Sequence, residues 1–146
     1  PDASNPRGYA EHDRVRALAR DAGWLPEADG RVVKVVAPLL PYVPAGPAYD
    51  VILMTRHMAE VLASQRAMLA RLGHVPASDA ALAPVYTRML DAARAWAAAT
   101  PGARMLELDH ADVLADPAAA SARLAAFLDR PLDRAAMAAA VDPSLY

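Results

Sequence analysis

Residues Asp50–Leu72 read DVILMTRHMAEVLASQRAMLARL. The opening DVILMT is almost wholly apolar, the look of a strand covered on both faces, because a half-exposed strand alternates apolar with polar. From His57 the period changes. Val61, Leu62, Gln65, Met68, Leu69 and Leu72 recur at helical spacing and mark one face, and Gly73 suits the end of a helix. Arg56 stands where strand becomes helix. In open α/β sheets ligands bind beyond the carboxyl ends of the strands, and Arg56 sits at that edge. Ser64 follows eight residues later, about two helical turns. A guanidinium and a hydroxyl so arranged can hold one phosphate, the arginine by bidentate charge-assisted bonds and the serine by one more donor. The same spacing admits plainer uses of Arg56, capping a carbonyl or pairing with Glu60.

Working outward, Arg31–Ala37 (RVVKVVA) is another β-branched run, stopped by Pro38, and predicts a strand buried on both faces. A proline-rich connection, Pro38–Pro47, joins the two. Further upstream, Pro1–Gly8 is turn-rich and reads as loop, while Val15, Leu18 and Ala19 predict a helix over Glu11–Ala22 that Gly23 ends. Trp24 and Leu25 are expected to pack back on it. Downstream, a helical region runs from Ser78 or Asp79 to about Ala99, and Pro84 either kinks it or marks a true start near Ala83. Pro101–Gly102 is a turn and Arg104–Leu108 a third strand. Ala111–Leu114 gives a helical turn, Asp116–Pro117 opens a helix to about Leu128, and Asp133–Ala140 closes the chain with another. Strands separated by helices predict a three-layer α/β fold, a parallel sheet flanked by helices. Three strands make a thin sheet, which points to a fold incomplete at its N-terminus.

Composition narrows the chemistry. The 146 residues suit a single domain, 1–146, and 55% hydrophobic content allows a buried core, although much of it is alanine. With no cysteine, disulfides and thiolate metal sites are excluded. His12, His57, His74 and His110 do not pair at helical spacing, so no metal site is expected. The net charge of −2 and the lack of a dense basic cluster argue against nucleic acid. Any bound polyanion is therefore small and held by a few placed groups. Neither a membrane span nor a signal peptide is visible, which predicts a soluble, cytoplasmic protein. Fourteen of the 15 basic residues are arginine, a bias that with abundant alanine suits a bacterial gene of high GC content. Lys34 is the only lysine.

Val32–Leu72 resembles the bacterial branch of the P-loop sulfotransferase family. There a lysine-bearing strand leads through a proline-rich connection to a strand ending in arginine, with serine eight residues on. Met105–Leu128 (MLELDHADVLADPAAASARLAAFL) resembles the family's later strand, its D-x-L-x-D-P turn and the helix ending in FL. Ser4–Val15 (SNPRGYAEHDRV) resembles a further segment, so the likeness spans nearly the whole chain. It implies sulfuryl transfer from 3′-phosphoadenosine 5′-phosphosulfate (PAPS) to a hydroxyl or amine acceptor, with Arg56 and Ser64 on the donor's 3′-phosphate and no metal.

Several positions depart from the family pattern. No glycine-rich strand–loop–helix matches the phosphate loop, and the six glycines are scattered. The resemblance thus implies several tens of residues upstream, or else a remnant that binds without catalysing. The histidine many cytosolic members use as base is replaced by Val36, which takes no proton. Glu11 is the candidate base, since other branches use a glutamate in this segment; its plain alternative is a first-turn carboxylate stabilised by the helix dipole. His12, beside it, has a suitable intrinsic pKa but no motif support. The resemblance places Lys34 near the sulfuryl group, where it would stabilise charge on the bridging oxygen; its alternative is a strand-end lysine reaching solvent. His57–Met58 replaces the usual aspartate–proline without touching the chemistry of Arg56. Trp24, Tyr42, Tyr49 and Trp96 read as core rather than as stacking surfaces. The acceptor would lie among Pro38–Pro47, the loop near Gly8 and His74–Leu82. Two other functions stay open, a non-catalytic module for binding or assembly and a P-loop small-molecule kinase. Asp50 lies at the wrong end of its strand to hold a kinase's magnesium.

Overall fold

The computed structural model describes residues 11–142. Two parallel strands carry the architecture, β1 (Tyr49–Thr55) and β2 (Ala103–Asp109). Their register runs from Tyr49 opposite Ala103 to Thr55 opposite Asp109, so both carboxyl ends reach the same level. Between them come α1 (Met58–Arg71) and α2 (Asp79–Ala99), and after β2 follow α3 (His110–Ala115), α4 (Pro117–Leu128) and α5 (Arg134–Ala139). This is an α/β fold with a parallel sheet flanked by helices. It meets the expected class with two strands among the described residues.

The helix boundaries have local causes. Gly73, at φ +73°, closes α1 in a left-handed turn: the His74 N–H donates to the Leu69 carbonyl and the Gly73 N–H to that of Ala70. The Ser78 hydroxyl accepts from the Ala81 N–H and starts α2, which then runs through Pro84. The alternative start near Ala83 is thereby corrected: the helix begins at Asp79 and keeps Pro84 within it. Asp109 and Asp116 cap α3 and α4 in the same way, through the Ala111 and Ala119 N–H groups.

Residues 11–43 wrap onto α2 with little regular structure. They hold three short 3-10 helices, Asp13–Ala17, Leu25–Ala28 and Ala37–Tyr42, and the first of these stands where a helix over Glu11–Ala22 was expected. The apolar positions Val15 and Leu18 are buried as predicted, but Arg20 and Asp21 both fold back onto the Ala17 carbonyl and end the helix early. Val15, Leu18, Trp24, Leu40, Val43 and Ala93 form the principal core, with Tyr49, Val51, Trp96 and Met105 packed around it. Trp24 is its plug at 1% exposure. His12 stacks on that ring with centroids 4.6 Å apart, and its Nδ1 accepts the Arg14 N–H. His12 is thus a capping and packing residue. Trp24 and Trp96 take the core places expected of them, Tyr49 is half-buried, and Tyr42 is exposed.

The segment Arg31–Ala37 is the main correction. Val33 and Val35 pack on the core while Val32 and Val36 stay 97% and 44% exposed, so the chain alternates as a strand does. It is nevertheless paired with no strand among the described residues and is covered on one face only. A β-branched run specifies extended backbone and burial; it does not specify a hydrogen-bonding neighbour. The Pro1–Gly8 loop and the acceptor wall near Gly8 lie outside the described residues.

Candidate functional site

β1 delivers Arg56 to the carboxyl edge of the sheet, one residue past Thr55 and two before α1 begins. Because β2 is parallel and in level register, its carboxyl end arrives beside it. The Thr55 hydroxyl lies 3.3 Å from Asp109 Oδ2 and 3.4 Å from the Leu108 carbonyl, tying the two strand ends together. Sequence reading missed this cross-strand tie. Its signal was Asp109, the residue that follows the third predicted strand.

Arg56 is half-buried, and its Nε donates to Glu60 Oε2 at 2.7 Å. The plainer use of Arg56 foreseen from the sequence is therefore the one the structure shows. That hydrogen bond holds the Glu60 carboxyl below the usual carboxylate range; partial desolvation opposes it, and the positive charge of Arg56, His57 and His110 reinforces it. His57 stands at the N-cap of α1 without a capping side-chain bond. Ser64 is exposed on α1, one turn beyond Glu60, and among the described residues no hydrogen bond joins it to Arg56.

The second predicted pair is brought together. Lys34 Nζ lies 3.5 Å from Glu11 Oε1, and Arg16 Nη2 lies 3.8 Å from Glu11 Oε2. Glu11 precedes the first 3-10 helix, so it is not the first-turn carboxylate of the plain reading. Lys34 projects from the exposed face of its extended segment, and burial of an unpaired ammonium does not arise.

Two surface recesses lie elsewhere. One, of about 380 Å³, is lined by Arg94, Ala97, Ala98, Ala103, Met105 and Glu107. The other, of about 280 Å³, lies among Leu108, Asp112, Asp116 and Arg123. Neither touches Arg56, Ser64, Lys34 or Glu11, nor the segments Pro38–Pro47 and His74–Leu82 assigned to the acceptor. The first is a packing seam: Arg94 bridges α2 to β2 with two 2.8 Å bonds to Glu107. Charge and geometry therefore locate the candidate site, and cavity volume does not. Among the described residues no group of three or more metal-ligating side chains occurs.

The model of the sulfotransferase family matches residues 43–134, well over half the chain. The chain belongs to the sulfotransferase family. Membership makes it a transferase of sulfuryl groups. The matched range holds β1, Arg56, Ser64 and β2; it leaves out Lys34 and Glu11. No curated protein and no solved structure matches this sulfotransferase. No described helix of the sulfotransferase is long and apolar enough to cross a membrane.

Proposed function

We propose that this sulfotransferase takes its sulfuryl group from PAPS and passes it to a hydroxyl or amine acceptor, with residues 1–146 acting as one domain. The observation that carries the reading is the position of Arg56, at the carboxyl edge of β1 and inside the family match, with Ser64 two turns along the helix that follows. This donor set fits a phosphate monoester. Arginine offers a planar fork of N–H donors, serine a neutral hydroxyl, and neither needs a metal to hold a dianion.

Lys34 and Glu11 are the proposed reacting pair. Attack by the acceptor oxygen or nitrogen forms its bond to sulfur as the bond between sulfur and the bridging phosphate oxygen breaks. The electron pair leaves with adenosine 3′,5′-bisphosphate, and the acceptor's proton passes to Glu11. Negative charge grows on the bridging oxygen, where the ammonium of Lys34 stabilises it. Their 3.5 Å approach supports the pairing, because a proton acceptor and a cation are needed within one small volume.

Release of adenosine 3′,5′-bisphosphate from PAPS, measured against a panel of phenols, alcohols and amines, tests this. Lys34→Met should lower kcat by about 10²–10³-fold, and Glu11→Gln by about 10²–10⁴-fold, with little change in donor affinity. Donor binding without turnover under any acceptor would favour the non-catalytic module. Magnesium-dependent use of ATP would favour the kinase.

A further inference from the structure

Glu60 stands between the two residues assigned to the 3′-phosphate. Arg56 lies two residues before α1 and Ser64 in the second turn of that helix, so an anion touching both must lie over the first turn, where Glu60 sits. Side chains on a helix lean toward its N-terminus and cover the preceding turn. Ser64 therefore looks back over the turn of Glu60, and Glu60 over the start of α1. The 2.7 Å bond from Arg56 Nε to Glu60 Oε2 shows that lean directly.

From this juxtaposition we infer that Glu60 is a displaceable internal anion: its carboxylate occupies the phosphate's place on Arg56 and must swing aside when the donor binds. The inference rests on the donor reading above. A carboxylate presents the guanidinium with the same kind of oxygen edge as a phosphate, so the two compete for one fork. The pair is exposed enough to open readily, with side chains 36% and 50% accessible. An exposed ion pair four residues apart on a helix is weakly held. A dianion bridging Arg56 and Ser64 would win that exchange, while a weaker or singly charged anion would not. Glu60 thus tunes donor affinity, because an anion must displace its carboxylate before it can take Arg56.

Calorimetry with adenosine 3′,5′-bisphosphate and adenosine 5′-monophosphate tests this. Glu60→Gln should tighten binding of the bisphosphate by about three- to tenfold, as the carboxylate that holds the Arg56 guanidinium is removed. Binding of the monophosphate, which lacks the 3′-phosphate, should not change. Glu60→Asp separates competition from simple repulsion: it keeps the charge but draws it back from Arg56, so it should resemble Glu60→Gln. In an Arg56→Ala background the gain should fall below twofold. Bisphosphate binding that is unchanged or weaker in Glu60→Gln, with Arg56→Ala still harmful, overturns the displaceable anion and leaves the donor site standing. Glu60→Asp behaving as wild type reduces Glu60 to a repelling charge and also overturns it. If Arg56→Ala changes nothing, or if neither wild type nor Glu60→Gln binds the bisphosphate, the donor site itself falls and this inference with it.

Discussion

The two tryptophans should respond to the same substitution in the reverse order of their burial. Trp24 is almost fully enclosed, and its indole Nε1 finds no hydrogen-bond partner among the described residues. Trp96 is only partly buried, and its Nε1 donates to the Val43 carbonyl at 3.0 Å. Burying roughly 200 Å² of indole is worth about 5 kcal/mol at 25 cal/mol per Å², and Trp24→Ala should cost about 3–5 kcal/mol. Phenylalanine keeps most of that area, so Trp24→Phe loses about 1 kcal/mol of burial. It also removes a buried unpaired N–H whose desolvation costs about 1–3 kcal/mol. The two changes nearly cancel, and Trp24→Phe should lie within about 1 kcal/mol of wild type. Trp96→Phe instead takes a donor from a carbonyl of the core and should cost about 2 kcal/mol. Urea unfolding followed by circular dichroism, with fluorescence of the remaining tryptophan as second probe, measures both. A larger loss for Trp24→Phe than for Trp96→Phe would refute the assignment of these two indoles.

Other consequences concern the sheet, the helices and the domain. Arg94 holds the Glu107 carboxyl below its ordinary value of 4.5, mainly by hydrogen bonding. A depressed carboxylate contributes stability that is complete above that ordinary value and drains away as pH falls through the lowered one. Glu107→Gln should therefore flatten the acid limb of stability and cost at most about 1 kcal/mol at neutral pH, since both side chains are well exposed; an unchanged acid limb on pH-dependent urea unfolding would contradict it. Asp116→Ala, which removes the Oδ1 acceptor from the Ala119 N–H, should cost about 1 kcal/mol by thermal unfolding, and Asp116→Ser should recover most of it. If residues 1–146 act as one domain, fluorescence and circular dichroism should trace coincident unfolding curves, and two separate transitions would divide it.

Periodicity and chain punctuation carried most of the fold. The change of period at His57, the helix-opening residues Ser78 and Asp116, and Gly73 each placed an element boundary that the structure repeats within a residue or two. The upstream third was less legible. RVVKVVA has the composition of a buried strand, yet pairing depends on which backbone lies alongside, and composition holds no record of that. Likewise Val15 and Leu18 announced burial without fixing whether a 3-10 turn or an α-helix would supply it. In the candidate site, the edge position of Arg56 was readable from strand-then-helix order. Its bond to Glu60 was one of several uses the spacing allowed, and rotamer choice settled it. The approach of Glu11 to Lys34 joins segments 23 residues apart, which a resemblance could imply and local pattern could not.

The central claim is that Arg56 anchors the donor nucleotide by its 3′-phosphate. Calorimetric titration of adenosine 3′,5′-bisphosphate into the wild-type protein and into Arg56→Ala measures this most directly. Loss of a charged hydrogen-bonding anchor should weaken binding by about 1.5–3 kcal/mol, on the order of 10- to 150-fold in Kd. Ser64→Ala should weaken it less, by about 1 kcal/mol. Micromolar binding by the wild type that collapses in Arg56→Ala is the predicted result. Equal affinity in the two proteins would contradict it.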